Sequence, residues 1–449
     1  MNDKQKSVDL PSLPPRLPQN EAELKRTIIL LGNRKQVELK TDARRQLESL
    51  IGVYPTIKEA AVWKRVLRRA CQGKFLTVKM SYAEMKDNSR LHAIHVEHGG
   101  KVYEAARRWG IEPHEVLDFS ANINPLGPPQ TVLSAIQNAL TATSLRVYPD
   151  AHAFLTAIVN KHLLMPDEIV VGSGAASLIF AVIHAISPKR VLILEPGFVE
   201  YSRASAAVNA QITTALLTEE TGFTPDFASV VHDIKEQQFD LVIVNSPHNP
   251  TGTLYPRDEL LWLIDAAEEH NTAVLLDEAF IDYASQESLV SLAPTKSHLI
   301  VLRSLTKFYA TPGIRIGYTV SNAKLAAKIK GQIDPWSVST VALEAGCAAL
   351  AEVEFATESC RLNTIAREEF ASALRGIGLE VLPSAANFLL AKLPHGSGGD
   401  LQNWLASERI LIRRCDSFHG LSDEFIRVAV RSSSDNDRLV SLIEKWLKG

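Results

Sequence analysis

Leu299-Ile300-Val301-Leu302-Arg303-Ser304-Leu305-Thr306-Lys307 runs from an apolar stretch into a lysine, and Pro312-Gly313-Ile314-Arg315-Ile316-Gly317-Tyr318 follows it. The four apolar residues read as a strand buried on both faces, with polar residues beginning where it ends. Four more runs share this form. Glu168-Ile169-Val170-Val171 precedes a glycine turn, Arg190-Val191-Leu192-Ile193-Leu194 precedes Glu195-Pro196-Gly197, Leu241-Val242-Ile243-Val244 precedes Asn245, and Ala273-Val274-Leu275-Leu276 precedes Asp277. Short apolar runs alternating with helical patterns predict an α/β fold with a mostly parallel sheet flanked by helices. Ligands of such open sheets bind beyond the strand C-termini, which is where the polar residues of interest gather.

Those residues have a shared chemistry. A lone lysine is ordinarily solvated, but Lys307 sits beside Ser304 and Thr306 and eight residues before Arg315. Ser304, Thr306 and Arg315 can all donate to one phosphate, the arginine as a forked, charged donor. Lys307 is then an amine available to form a Schiff base. Asp277 ends an apolar strand, where a carboxylate is costly unless paired. A protonated ring nitrogen would pair it; capping the next helix is the plainer alternative. Asn249, in Asn245-Ser246-Pro247-His248-Asn249-Pro250-Thr251-Gly252, can donate to a phenolate oxygen, although Asn-Pro-Thr-Gly alone reads as a turn. Gly172-Ser173-Gly174-Ala175-Ala176 follows a strand and opens a helix expected over Ser177 to Ile186. Backbone N–H groups at Ser173, Gly174 and Ala175 would form an anion site there. Phe198 is placed to stack on an aromatic ring, with a core aromatic as the alternative. A Schiff-base amine, a carboxylate for a pyridinium and donors for a phenolate and a phosphate are the needs of pyridoxal phosphate, whose cationic ring serves as an electron sink.

In this order and spacing the clusters resemble the aspartate-aminotransferase-like superfamily, pyridoxal-phosphate fold type I. Further motifs sharpen the likeness. His98-Gly99-Gly100-Lys101-Val102-Tyr103-Glu104-Ala105-Ala106-Arg107, Leu117-Asp118-Phe119-Ser120-Ala121-Asn122-Ile123-Asn124-Pro125-Leu126-Gly127-Pro128, Val147-Tyr148-Pro149-Asp150, Asp334-Pro335-Trp336-Ser337-Val338 and Ile410-Leu411-Ile412-Arg413 together closely resemble the threonine-phosphate decarboxylase family of the cobalamin pathway, a relative of histidinol-phosphate aminotransferase. The likeness covers about residues 95 to 445. It implies conversion of L-threonine O-3-phosphate to (R)-1-amino-2-propanol O-2-phosphate and carbon dioxide. It also implies that Arg427, in Phe425-Ile426-Arg427-Val428-Ala429-Val430-Arg431, takes the substrate α-carboxylate by a bidentate contact. For the substrate phosphate it implies His98 and Asn122, with Arg413 or Arg414 beside them, and Asn249 counts among both the cofactor and the substrate residues. Tyr148 resembles a residue that reaches the cofactor phosphate of a neighbouring subunit, so a homodimer with shared sites is expected. The chain departs from the pattern at four places. Phe280 stands where a tyrosine donor is common, Ala175 and Ala176 where a polar or acidic residue often helps the phosphate, and Ser339 where asparagine is usual, a change expected to bear on substrate fit. The fourth departure is the segment before residue 91, which the family chain ordinarily lacks.

That segment stands apart in charge. Residues 1 to 90 hold 19 Lys+Arg and 10 Asp+Glu, a balance of +9, against a chain total of −3. We expect a basic, partly disordered and helical extension over residues 1–90, with helices over Thr41 to Ile51 and Thr56 to Cys71, and a catalytic region over 91–449. Within the latter we expect a large domain at about 145–335 and a small one from 91–144 and 336–449. No apolar run approaches the ~20 residues of a membrane span, and the four scattered cysteines suit a reduced cytoplasm. Three other readings compete: an aminotransferase acting on a phosphorylated amino compound such as histidinol phosphate, a transcription regulator with an aminotransferase-like effector domain, and the same decarboxylation of serine phosphate, one methyl smaller. The extension lacks a clear winged-helix pattern, so a nucleic-acid partner is not expected. Nor is a metal.

Overall fold

The computed structural model describes residues 98–449, within a compact unit that begins at Ile94. The extension and its two expected helices lie outside the described residues. In chain order the strands are β1 (Leu117–Asp118), β2 (Ile169–Gly172), β3 (Arg190–Glu195), β4 (Gln211–Leu216), β5 (Leu241–Asn245), β6 (Ala273–Asp277), β7 (Leu299–Ser304), β8 (Gly317–Val320), β9 (Glu380–Val381), β10 (Phe388–Lys392), β11 (Ile410–Leu411), β12 (Arg413–Arg414) and β13 (Phe425–Ala429).

Seven of them form one sheet in the order β2-β8-β7-β6-β5-β3-β4. Neighbours from β7 through β4 are parallel, whereas β8 runs antiparallel to both β2 and β7. The apolar runs show no polar alternation because both faces are covered. On β5, β6 and β7 the residues Val242, Val244, Val274, Leu276, Leu299 and Val301 join the core on one face. Their sequence neighbours Leu241, Ile243, Ala273, Leu275, Ile300 and Leu302 join the core on the other. This is the period-two geometry of a strand with helices above and below. The helix Ala175–Ile186 supplies Leu178, Ile179, Val182 and Ile183 to the second core. The helix Thr340–Ala351 packs on Gln130–Ala139 and His152–His162 on the first side.

A second, four-stranded sheet has the order β12-β13-β10-β9 and is antiparallel throughout. Its own core is built from Leu389, Ala391, Ile426 and Val428 against Phe370, Leu374, Leu439 and Ile443 of the last long helices. Parallel pairing of Leu117 with Ile410 and of Asp118 with Leu411 ties the early segment to this C-terminal region. Among the described residues no helix is long and apolar enough to cross a membrane.

Candidate active site

The parallel strands end together, and their ends carry the chemistry. Asn245 closes β5 and stands in register with Asp277, which closes β6; Ser304 closes β7 next to it. Above these ends is a pocket of about 330 Å³. Asp277 and Lys307 line it together with residues from both ends of the described chain, from His98 to Arg427.

Asp277 is buried at the C-terminal end of β6. Its Oδ2 accepts from the Tyr201 hydroxyl at 2.6 Å and its Oδ1 from the Ala279 N–H at 2.9 Å. Burial pushes its pKa up to about 6, against the lowering pull of those two bonds. A carboxylate kept in such a place is stabilised by a cation above it, as a ring N–H⁺ would be. Lys307 has the complementary perturbation. Burial, with help from the nearby Arg427 charge, brings its ammonium down to about 8, so a useful fraction is the neutral amine near neutral pH.

The glycine turn builds an anion cradle. The helix Ala175–Ile186 starts after Gly174, which makes no side-chain cap, so the first-turn N–H groups of Ala175 and Ala176 are available at the pocket wall. Gly174 has φ +86°, and a Cβ there would lie 2.6 Å from the Arg315 Nη2. Only glycine lets the guanidinium come down onto the turn. Arg315 itself holds φ +60° and donates from Nη1 to the Pro312 carbonyl at 3.4 Å. Ser304 and Thr306 line the same side.

Two arginines of the second sheet enter the same lining. Arg413 on β12 and Arg427 on β13 are directly opposite in the antiparallel register, and both are buried. Arg427 donates to the Asn249 Oδ1 and, at 3.1 Å, to the Ser120 carbonyl, with the Phe388 ring 5.3 Å from its guanidinium carbon. Burial, with Arg413 beside it, lowers the Arg427 pKa to about 10. Arg413 donates to the Arg414 carbonyl and the Ser417 Oγ, each at 2.6 Å, and lies over the Phe418 ring at 4.8 Å. His98 and Asn122 are also in the lining, and the buried Asn122 Oδ1 has no hydrogen-bond partner. Two cationic forks in one pocket lining suit a ligand with more than one anionic group.

Of the residues singled out above, Lys307, Asp277, Ala175, Phe198, Asn249, Ser304, Thr306, Arg315, His98, Asn122, Arg413 and Arg427 are brought together in this lining. Gly174 stands just behind, under Arg315. Ser173 and Arg414 are outside the lining, the latter paired with Asp416 at 3.4 Å. Tyr148 is also outside it, 73% exposed and stacked on Trp336 at 4.2 Å. Ser339, marked above as a departure bearing on substrate fit, caps the helix Thr340–Ala351 by accepting from the Ala342 N–H at 3.2 Å, away from the pocket.

Residues 114–443 match the family model for aminotransferase class I and II. The chain belongs to that family. It is 37% identical over 357 residues to threonine-phosphate decarboxylase of Salmonella typhimurium, covering 78% of this chain and 97% of that protein. Among solved structures it is similar to histidinol-phosphate aminotransferase from Clostridium acetobutylicum, with a TM-score of 0.69 and 32% identity over 74% of this chain and 99% of that one. It also shares the fold of L-threonine-O-3-phosphate decarboxylase from Porphyromonas gingivalis, at 24% identity and a TM-score of 0.67, over 74% of this chain and the whole of that one.

In this aminotransferase-family site the donor set fits pyridoxal phosphate: an amine brought down to about 8, a buried carboxylate awaiting a cation, and an uncapped helix start under a guanidinium. The sequence reading missed Tyr201, Glu200, Ser417 and Phe418, all in the lining. Tyr201 could have been found from its spacing, since it follows Phe198 by three residues, one helical turn. It supplies a hydroxyl to Asp277 itself, whereas Phe280 packs edge-on against Phe388 at 5.0 Å.

Proposed function

We propose that this chain is a pyridoxal-phosphate-dependent decarboxylase that converts L-threonine O-3-phosphate to (R)-1-amino-2-propanol O-2-phosphate and carbon dioxide, the reaction of cobalamin biosynthesis. The observation that carries the reading is the pairing of Arg413 with Arg427 in the same pocket as the Arg315 cradle. One anion cradle accounts for a cofactor phosphate. The Arg413 and Arg427 pair, with His98 and Asn122, accounts for two further anionic groups, a carboxylate and a phosphate, on a single small substrate. The likeness to the Salmonella typhimurium enzyme supports the same assignment.

When bound, pyridoxal phosphate supplies the electron sink that accepts the pair from the broken bond at the substrate Cα. Asp277 would hold the proton of the ring nitrogen, and Tyr201 holds Asp277. Ser304, Thr306, Arg315 and the first-turn N–H groups of Ala175 and Ala176 would hold the cofactor phosphate; Asn249 would donate to the phenolate oxygen and Phe198 would cover the ring. Arg427 and Asn249 would grip the α-carboxylate so that the bond to it stands perpendicular to the ring, the orientation that selects loss of carbon dioxide over loss of the Cα proton. Lys307, which keeps its proton below about pH 8, would return a proton to Cα. Substrate orientation, more than any one acid or base, is what these residues contribute.

Aminotransfer on a phosphorylated amino compound is the second reading, favoured by the likeness to the Clostridium acetobutylicum protein. Product analysis separates them. Holoenzyme given L-threonine O-3-phosphate should release aminopropanol phosphate and carbon dioxide, and Lys307→Ala should abolish this. A keto product with pyridoxamine phosphate would overturn the decarboxylase reading. The protein is proposed to work as a homodimer, with Tyr148 reaching the partner subunit's cofactor phosphate.

A further inference from the structure

A buried carboxylate lies in the wall of the pocket proposed to receive a phosphate. Glu200, in the first turn of the helix Val199–Ala207, is 5% exposed and lines the pocket with His98. An acid in an anion site repels its ligand unless something offsets the charge. Here two groups do. Arg203 Nη1 reaches both carboxylate oxygens at 2.8 Å, and His98 Nε2 meets Oε1 at 3.0 Å. Burial raises the Glu200 pKa, but these two partners outweigh it and hold the acid below the usual carboxylate range. Arg203 is not part of the lining, so it offsets the charge from behind while Glu200 grips the histidine in front.

The grip spans 102 residues of sequence. His98 comes from the segment that opens the described chain, and its ring lies 5.8 Å from that of Phe198, at the start of the helix. With Nε2 engaged by Glu200, Nδ1 is the remaining nitrogen for a ligand. We propose that Glu200 is a positioning residue for the substrate phosphate, acting through His98, which it holds pre-oriented in the pocket wall. The proposal rests on the reading that the substrate carries a phosphate. The gain is the usual one of preorganisation: the ligand does not have to freeze a half-exposed side chain as it binds.

The test is steady-state decarboxylation of L-threonine O-3-phosphate by holoenzyme variants. Glu200→Ala should raise KM about tenfold with kcat within about twofold, the loss of one charge-assisted contact. Glu200→Gln, which keeps an acceptor for Nε2 and the side-chain volume, should fall between wild type and Glu200→Ala. The double variant of Glu200→Ala with His98→Ala should have the KM of His98→Ala alone, because both act through one imidazole. Arg203→Met should also raise KM, since the acid then loses its offset. An unchanged KM in Glu200→Ala, effects that add in the double variant, or a fall in kcat that tracks a fall in thermal stability would each overturn the proposal. If wild-type holoenzyme does not decarboxylate the substrate at all, the functional reading falls and takes this one with it.

Discussion

Asp277 is kept at a thermodynamic cost, and that cost is measurable. Its folded pKa is about 6 against 3.8 for an ordinary aspartate, burial being the cause. Between those values the folded protein binds more protons than the unfolded chain, so stability falls as pH rises through the window and levels off above it. Glu195, pushed up to about 7 by burial, acts in the same direction. We therefore expect cofactor-free Asp277→Asn to melt several degrees above cofactor-free wild type at pH 8, with the difference shrinking towards pH 4. Thermal denaturation across pH would show it, and equal melting temperatures at pH 8 would refute it. The same substitution should reduce turnover by two or more orders of magnitude, as expected when a site trades stability for function. Tyr201→Phe is the subtler probe. It leaves the Asp277 Oδ2 without the 2.6 Å hydroxyl and should lower kcat about tenfold with little change in fold, as read by kinetics and circular dichroism. Lys307 and Asp277 were legible in the sequence because each lies at or just past the end of an apolar strand, inside a recognisable motif. Tyr201 was missed: its spacing from Phe198 hints at a place beside the ring, but its bond to Asp277 spans 76 residues and leaves no local mark.

Among the elements, the strand-to-helix turn at Gly174 is the most constrained. Gly174→Ala must pay for φ +86° and push away a guanidinium whose Nη2 would stand 2.6 Å from the new Cβ. We expect cofactor retention to fall at least tenfold, read as the cofactor lost on dialysis, while the same change at Gly110, whose added Cβ would meet nothing within 4 Å, should leave retention unaltered. The Ser339 cap gives the opposite kind of prediction. Ser339→Ala should cost about 1 kcal/mol of stability, and Ser339→Asn almost nothing, with KM unchanged in both. A KM shift would revive a role in substrate fit that the position of the side chain does not suggest. The inner strands were readable as unbroken apolar runs because both faces of the sheet are covered. Two others escaped for physical reasons: β4 lies at the sheet edge with Gln211 and Leu216 exposed, and β8 is only four residues long and begins with the glycine of the arginine motif.

For the whole molecule, one feature of the described surface calls for a partner. Tyr148 and Trp336 stack face to face at 4.2 Å, yet they are 73% and 58% exposed, and Leu145 and Val147 beside Tyr148 are exposed as well. Large apolar side chains gathered at a surface mark contact sites when they cluster. If Tyr148 serves the cofactor phosphate of the partner subunit, the two sites of a dimer each draw residues from both chains. Subunit mixing tests this directly. Lys307→Ala alone should be inactive, and Tyr148→Ala should be severely impaired. In a hybrid dimer the Tyr148→Ala chain keeps its own Lys307 and borrows Tyr148 from the Lys307→Ala chain, so one site is whole. Random mixing in equal amounts makes half the dimers hybrid with one good site of two, so activity should return to about a quarter of wild type after subunit exchange, by the arithmetic of two-fold assembly. Activity no greater than the mean of the two parents would mean that Tyr148 serves its own chain or neither. Sedimentation of the wild type at a monomer's mass would remove the shared site altogether, and then Arg315, Ser304 and Thr306 would have to hold the cofactor phosphate without help from a second chain.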